Sequence, residues 1–188
     1  MAQPLRGKVA EVWRQVLDTV AAEFADADDV AHVTRVAVRL LLAGALGFAL
    51  GFEREAKGKA AGARTHMLVA MGSALFVLAP QLSGAQMADM SRVIQGLVAG
   101  VGFLCAGAIL KSNEEHAVKG LTTAAGMWMT AAIGMACGLG REVTAILSTV
   151  LALVVLALVP HFSRGLQGMM GGSRNQGPDP SGKDESQR

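Results

Sequence analysis

GFALGFEREAKGKAAGARTHMLVAMGSALF, Gly47 to Phe76, ends one apolar run on Phe52, crosses a charged loop, and begins another apolar run after Arg64, Thr65 and His66. Apolar segments that stop at charge and resume within about a dozen residues read as two antiparallel helices joined by a short connection. Similar stretches flank this one: about Val33 to Phe52, Met67 to Leu82, Val93 to Leu110, Leu121 to Leu139 and Val143 to Val159. Each is near the roughly 20 residues that a helix needs to cross a hydrocarbon core. The expected fold is therefore all-α, a polytopic membrane bundle of about five transmembrane helices. Arg35 and Arg39, in the opening turns of the first run, are expected to snorkel outward.

Composition agrees with this reading. The 188 residues are 52% hydrophobic and 17% charged, with no tyrosine, and the mean hydropathy is positive. A formal net charge of +2, broken up by acids, is too small to suggest nucleic acid as a partner, and none is expected. Cys105 and Cys137 fall inside apolar segments and read as packing residues.

Ahead of the first span, Val9, Val12, Trp13, Val16, Leu17, Val20 and Phe24 recur at helical spacing, opposite Lys8, Glu11, Arg14, Asp18 and Glu23. They describe an amphipathic helix suited to the headgroup region with Trp13 as anchor, the alternative being packing on the bundle or on a second subunit. The first thirty residues lack the continuous apolar core of a secretory signal. Asp26, Asp28 and Asp29 offer N-caps for the next helix. Residues 1–29 thus form an amphipathic helix and acidic linker, 30–160 the transmembrane domain, and 161–188 a tail expected to be disordered from about residue 171. Lysine and arginine in the short loops, Arg54, Lys57, Lys59 and Arg64 with Lys111, Lys119 and Arg164, favour a cytoplasmic first loop and C-terminus.

Three GxxxG spacings, Gly47 with Gly51, Gly96 with Gly100 and Gly134 with Gly138, allow close helix approach. Packing within one chain is the expected use, with self-association a further one. Around the first loop, a charge-assisted network of Glu53 or Glu55 with Arg54 or Arg64 is expected, with Thr65 able to cap the second span. No HExxH, GxSxG or P-loop pattern occurs, and the four histidines are scattered, so no catalytic residue, cofactor or metal site is assigned. Gly100 and Gly102 lack both the third glycine and the preceding strand of a dinucleotide turn. Polar residues in the later spans, Gln95, Thr122 and Thr123 among them, include no mid-span carboxylate, which argues against a self-contained route for a divalent cation.

GFALGFERE with KGKAAGARTHMLVAMGSALF, RVIQGLVAGVGFLCAGAIL, and VKGLTTAAGMWMTAAIGMACGLG resemble, in order, three signatures of the MgtC/SapB membrane proteins. The resemblance covers about Arg39 to Pro160. It implies a bacterial inner-membrane protein of around five spans without enzymatic activity, linked to growth in low magnesium, acid tolerance and virulence. It also implies action by binding and restraining a membrane ATPase, so the expected partners are the lipid bilayer, such an ATPase and a second copy of the chain. A transporter or permeation subunit for Mg²⁺ or another small solute, built from several protomers, is the alternative. Carried over by motif, the interaction candidates are Glu53, Arg54, Arg64, Thr65, His66, Gln95, Thr122, Thr123 and Trp128, with Gly62, Gly72, Ser73, Gly100, Gly102, Gly107 and Gly120. The chain departs from longer members in lacking their soluble C-terminal domain, in carrying Cys105 where glycine is common, and in its N-terminal extension.

Overall fold

In a computed structural model, which describes residues 3–23, 29–110 and 120–170, the chain is all-helical: α1 (Gln3–Glu23), α2 (Val30–Ala56), α3 (Ala63–Leu82), α4 (Met87–Leu110), α5 (Leu121–Gly138) and α6 (Glu142–Met170). Helices α2 to α6 coincide with the five apolar stretches. Three of them, α2, α3 and α4, are long and apolar enough to cross a membrane, while the apolar part of α6, Glu142–Leu158, is shorter. Several helices begin before the apolar run does, α4 by more than a turn, because backbone hydrogen bonding continues through the polar residues at a span's end. Asp26, Asp28, Lys111, His116, Lys119 and the tail from residue 171 lie outside the described residues.

Asp29 is the N-cap of α2, its carboxylate accepting from the backbone N–H groups of Ala31 (2.9 Å) and His32 (3.2 Å). That satisfies two of the donors a helix start leaves free. Helix α1 exposes Val12, Trp13, Val16, Leu17 and Val20 and, among the described residues, touches none of the other helices.

The bundle is organised around α3, which lies between α2 and α5. A Cβ on Gly47 would stand 2.7 Å from the His66 carbonyl oxygen, and one on Gly51 would stand 2.6 Å from the Ala63 Cα. From the other side, a Cβ on Gly134 would meet the Ala70 carbonyl oxygen at 2.2 Å, and one on Gly138 that of Ala74 at 2.4 Å. Two of the three GxxxG pairs therefore press the backbones of α2 and α5 onto the alanine face of α3. Contacts this close supply the van der Waals packing that must hold helices together where lipid is as apolar as the side chains. The third pair, Gly96 and Gly100, has no atom within reach of an added Cβ and lies on an open face of α4. Ala43, Leu50, Ala70, Ala74, Ile133, Cys137 and Ala145 form the core that results.

Arg39 does not snorkel outward. Its Nη1 donates to the Gln81 side-chain oxygen and to the Gly138 carbonyl, both at 2.9 Å, so it ties α2 to the ends of α3 and α5. Arg35, one turn earlier, is exposed.

Candidate functional site

The last turn of α2 and the first turn of α3 build one polar end of the bundle. Helix α2 stops at Lys57, after which Gly58 takes a left-handed conformation (φ +65°) and the chain folds back: Gly58 N–H donates to the Glu55 carbonyl (2.9 Å) and Lys59 N–H to that of Arg54 (3.0 Å). The Glu55 carboxylate then accepts from the Ala63 backbone N–H at 2.9 Å. One acidic side chain thus caps the start of α3, where negative charge also meets the helix dipole favourably. Gly62 is the N-cap residue and makes no side-chain bond of its own; a Cβ there would stand 2.6 Å from the carboxylate. Thr65, read from sequence as a cap, lies a turn too late and is exposed. Sequence reasoning placed the correct residue types at this junction but could not tell a carboxylate reaching back from α2 from a local hydroxyl cap.

Glu53 is the acceptor of a small cationic group. Lys57, one turn on, pairs with it directly, and Arg54 Nη1 stands 3.9 Å from its other oxygen. Arg54 is only 4% exposed. The ion contacts here run through Glu53, Arg54 and Lys57, the last not part of the expected network, whereas Arg64 is exposed on α3's first turn.

Lys57 has a second role. Its Nζ donates at 2.9 Å to the carbonyl of Leu156, in the middle of α6. That carbonyl is four residues before Pro160, which has no N–H to offer it. The lysine supplies the missing donor and pins α6 to the end of α2. Replacement of Lys57 by methionine should cost about 1 kcal/mol, the worth of a half-exposed charged hydrogen bond. In a double-mutant cycle scored by unfolding in detergent, Pro160→Ala, which restores the helical donor, should remove most of that cost. Independent, additive effects would show that the contact carries no energy.

His66 is fully buried. Its Nδ1 lies 3.0 Å from the Gly62 carbonyl oxygen, which can only accept, so Nδ1 carries the proton. Its Nε2 has no hydrogen-bond partner among the described residues.

The remaining sequence candidates do not converge. Thr122 joins His66 in the wall of a cavity, while Thr123 is buried. Gln95 is exposed on α4, near that helix's opposite end. It lies fifteen residues from Leu110, roughly 22 Å at a rise of 1.5 Å per residue. Trp128 is half-exposed on α5, beside the α4 residues Leu97, Val98 and Val101. Ser73 is buried in α3, whereas Gly72, Gly100, Gly102 and Gly107 border open space. Gly120 is left-handed (φ +94°), and a Cβ there would stand 2.7 Å from the Ala108 carbonyl oxygen. Arg39 and Gln81 were missed as a pair; the only signal was a cation standing alone in an apolar span. No group of three or more His, Cys, Asp or Glu side chains able to hold a metal occurs among the described residues.

The MgtC family model matches residues 40–164. YhiD of Escherichia coli (strain K12), named for a proposed role as a magnesium transporter, is 44% identical over 126 residues, covering 63% of this chain and 58% of that protein. SrpB of Synechococcus elongatus is 45% identical over 130 residues, covering 63% of this chain and 71% of its own. MgtC of Brucella abortus (strain 2308) is 44% identical over 120 residues, 63% of this chain and 49% of its own. The chain thus spans about half to three-fifths of the length of several curated relatives that it matches. No solved structure matches it.

Proposed function

The chain belongs to the MgtC family of membrane proteins, and from that premise we propose that it is a non-enzymatic regulator of another membrane complex, foremost an ATPase of the bacterial inner membrane. It acts through the α2–α3 end, which faces the cytoplasm together with the C-terminus, as the distribution of lysine and arginine favours. Helix α1 lies in the headgroup region with Trp13 as its anchor. The low-magnesium, acid-stress or virulence setting suggested by the family is where such restraint would operate.

The observation that carries this reading is a core of small apolar residues packed between α2, α3 and α5, combined with a charged end. Ala43, Ala70, Ala74, Ile133 and Cys137 are at most 1% exposed, except that Ala131 beside them is 3%, and Gly47, Gly51, Gly134 and Gly138 hold α2 and α5 directly against the backbone of α3. Among the described residues, the seams of α3 with α2 and α5 are packed too closely at these glycines to carry a solute. The end at Glu53, Arg54 and Lys57 instead offers fixed charge, with Lys59 and Arg64 exposed beside it. Such complementary charge steers partner choice and association rate.

Inverted membrane vesicles test the proposal. With the chain present, ATP-driven proton pumping should fall, and ATP synthase subunits should co-purify with it. The double reversal Lys59→Glu, Arg64→Glu should relieve the restraint without lowering the amount of chain in the membrane. Unchanged pumping, with no stoichiometric partner recovered in several detergents, would sink the idea.

One observation favours the alternative, a permeation subunit: Gln95 is exposed beside Gly96 and Gly100 on an open face of α4, where several protomers would bring their glutamines together. Mg²⁺ uptake into proteoliposomes that is indifferent to Gln95→Ala and Thr123→Val would remove it.

A further inference from the structure

Between α5, α6 and the α2–α3 junction lies a cavity of about 360 Å³. Its walls are Leu50, Met129, Leu151, Ala152, Val155 and Leu156, and its polar residues are His66 and Thr122. Leu151 and Val155 are exposed, so the mouth opens sideways, between α5 and α6, toward the lipid side of the bundle. We propose that this cavity is a binding site for an apolar chain bearing a single hydroxyl, drawn from the bilayer, with the hydroxyl on His66 Nε2.

The ligand class follows from the imidazole. Nδ1–H is committed to the Gly62 carbonyl. In the uncharged ring Nε2 therefore holds a lone pair and requires a donor. Nε2 is buried and unpartnered, a condition that costs about 1–3 kcal/mol unless something fills it. The walls facing the cavity are otherwise apolar, so a charged donor would be desolvated there at much greater cost. A hydroxyl is the neutral group that meets both demands, with Thr122 the other polar residue of the wall. The rest of the cavity accepts a chain: from Thr122 to Met129 it follows about 10 Å of α5. A mostly apolar pocket of this size with one or two fixed polar groups is the usual form of a small-molecule site.

Gly126 makes the site testable without disturbing the core. A Cβ there would stand 3.6 Å from His66 Nε2, an ordinary contact that needs no rearrangement. Gly126→Ser therefore places the protein's own hydroxyl where the ligand's would be, and Gly126→Ala only narrows the cavity. His66→Phe keeps the ring and removes the acceptor.

The experiment uses the purified full chain in detergent and in vesicles, with a diazirine-bearing long-chain alcohol as the photoprobe. Adducts should map to residues 122–129 and 151–156. Dodecanol should compete about tenfold better than dodecane or dodecyl methyl ether, the equivalent of one hydrogen bond to a buried acceptor. Competition by dodecanol alone assigns a free alcohol, and competition by dilauroylglycerol as well assigns a neutral glyceride. Gly126→Ser should abolish the advantage of the alcohol while the chain keeps its melting temperature; if His66→Phe fails to fold, that serine variant carries the test. Equal competition by alcohol, ether and alkane would overturn the proposal. So would adducts spread evenly over the apolar groove between α3 and α4, or crosslinks at these residues joining two copies of the chain.

Discussion

Replacing Gly134 with alanine will destabilise the chain in detergent, whereas the same replacement at Gly96 will leave its stability unchanged or raise it. Both glycines belong to GxxxG pairs in apolar helices, and on sequence alone they are equivalent. They differ in what a methyl group would meet. At Gly134 the new Cβ falls 2.2 Å from the Ala70 carbonyl oxygen and 2.8 Å from the Ala70 Cα. Backbone atoms in mid-helix cannot step aside singly, so α3 and α5 must separate along their length. Helix α3 has no room to retreat, because Gly47 and Gly51 hold it from the other side. Overpacking of this kind costs about 1–3 kcal/mol, and lipid supplies no hydrophobic drive to close the gap again. At Gly96 no atom lies within reach of the added carbon. Alanine there gains up to about 1 kcal/mol of helix propensity over glycine. SDS-titrated unfolding from mixed micelles reads both. Equal losses at the two positions would mean that the open face of α4 is also a close contact, and the assignment of the two motifs would fail.

That contrast marks where the sequence stops being legible. Apolar run lengths carried the helices, because a span must satisfy its own backbone and so declares itself by composition. The spacing of Gly47 with Gly51 declared a close approach, yet nothing local to it named Ala63 and Ala70 as the surface approached. At the first loop, charge density showed that Glu53 to His66 form one polar end, but the roles within it depend on three-dimensional reach. Glu55 caps α3 from eight residues away, and Lys57 finds a carbonyl ninety-nine residues on. The last apolar stretch of the sequence ends at Val159, so neither the carbonyl that Pro160 leaves unpaired inside α6 nor the side chain that answers it was anticipated. Gln95, Thr122 and Thr123, grouped by polarity, are separated because α4 and α5 run antiparallel and present them at different ends.

Arg39→Leu should be the most damaging single substitution of a charged residue, costing about 3 kcal/mol, because it removes the last donor in the account of α5's C-terminal carbonyls. Leu139 N–H donates to Met135, Arg141 N–H to Ala136 and Gly140 N–H to Cys137. Gly138 is left, and the guanidinium of Arg39 takes it at 2.9 Å, a cation at the negative end of a helix dipole. The same Nη1 reaches Gln81, so α2, α3 and α5 are joined at one point. Gly140 permits this approach: it is left-handed at φ +73°, and a Cβ there would overlap the guanidinium. Glu142 stands 3.8 Å from Arg39 Nε, but its side chain is 44% exposed, so the ion pair is worth little. Glu142→Gln should therefore cost less than about 0.5 kcal/mol. Arg39→Lys should recover only part of the loss, since a single ammonium on a flexible stem does not reproduce the planar fork. Unfolding midpoints should rank Arg39→Leu below Arg39→Lys, and Arg39→Lys below Glu142→Gln. Were Glu142→Gln as harmful as Arg39→Leu, the ion pair would be the stabilising contact and the carbonyl account would be wrong.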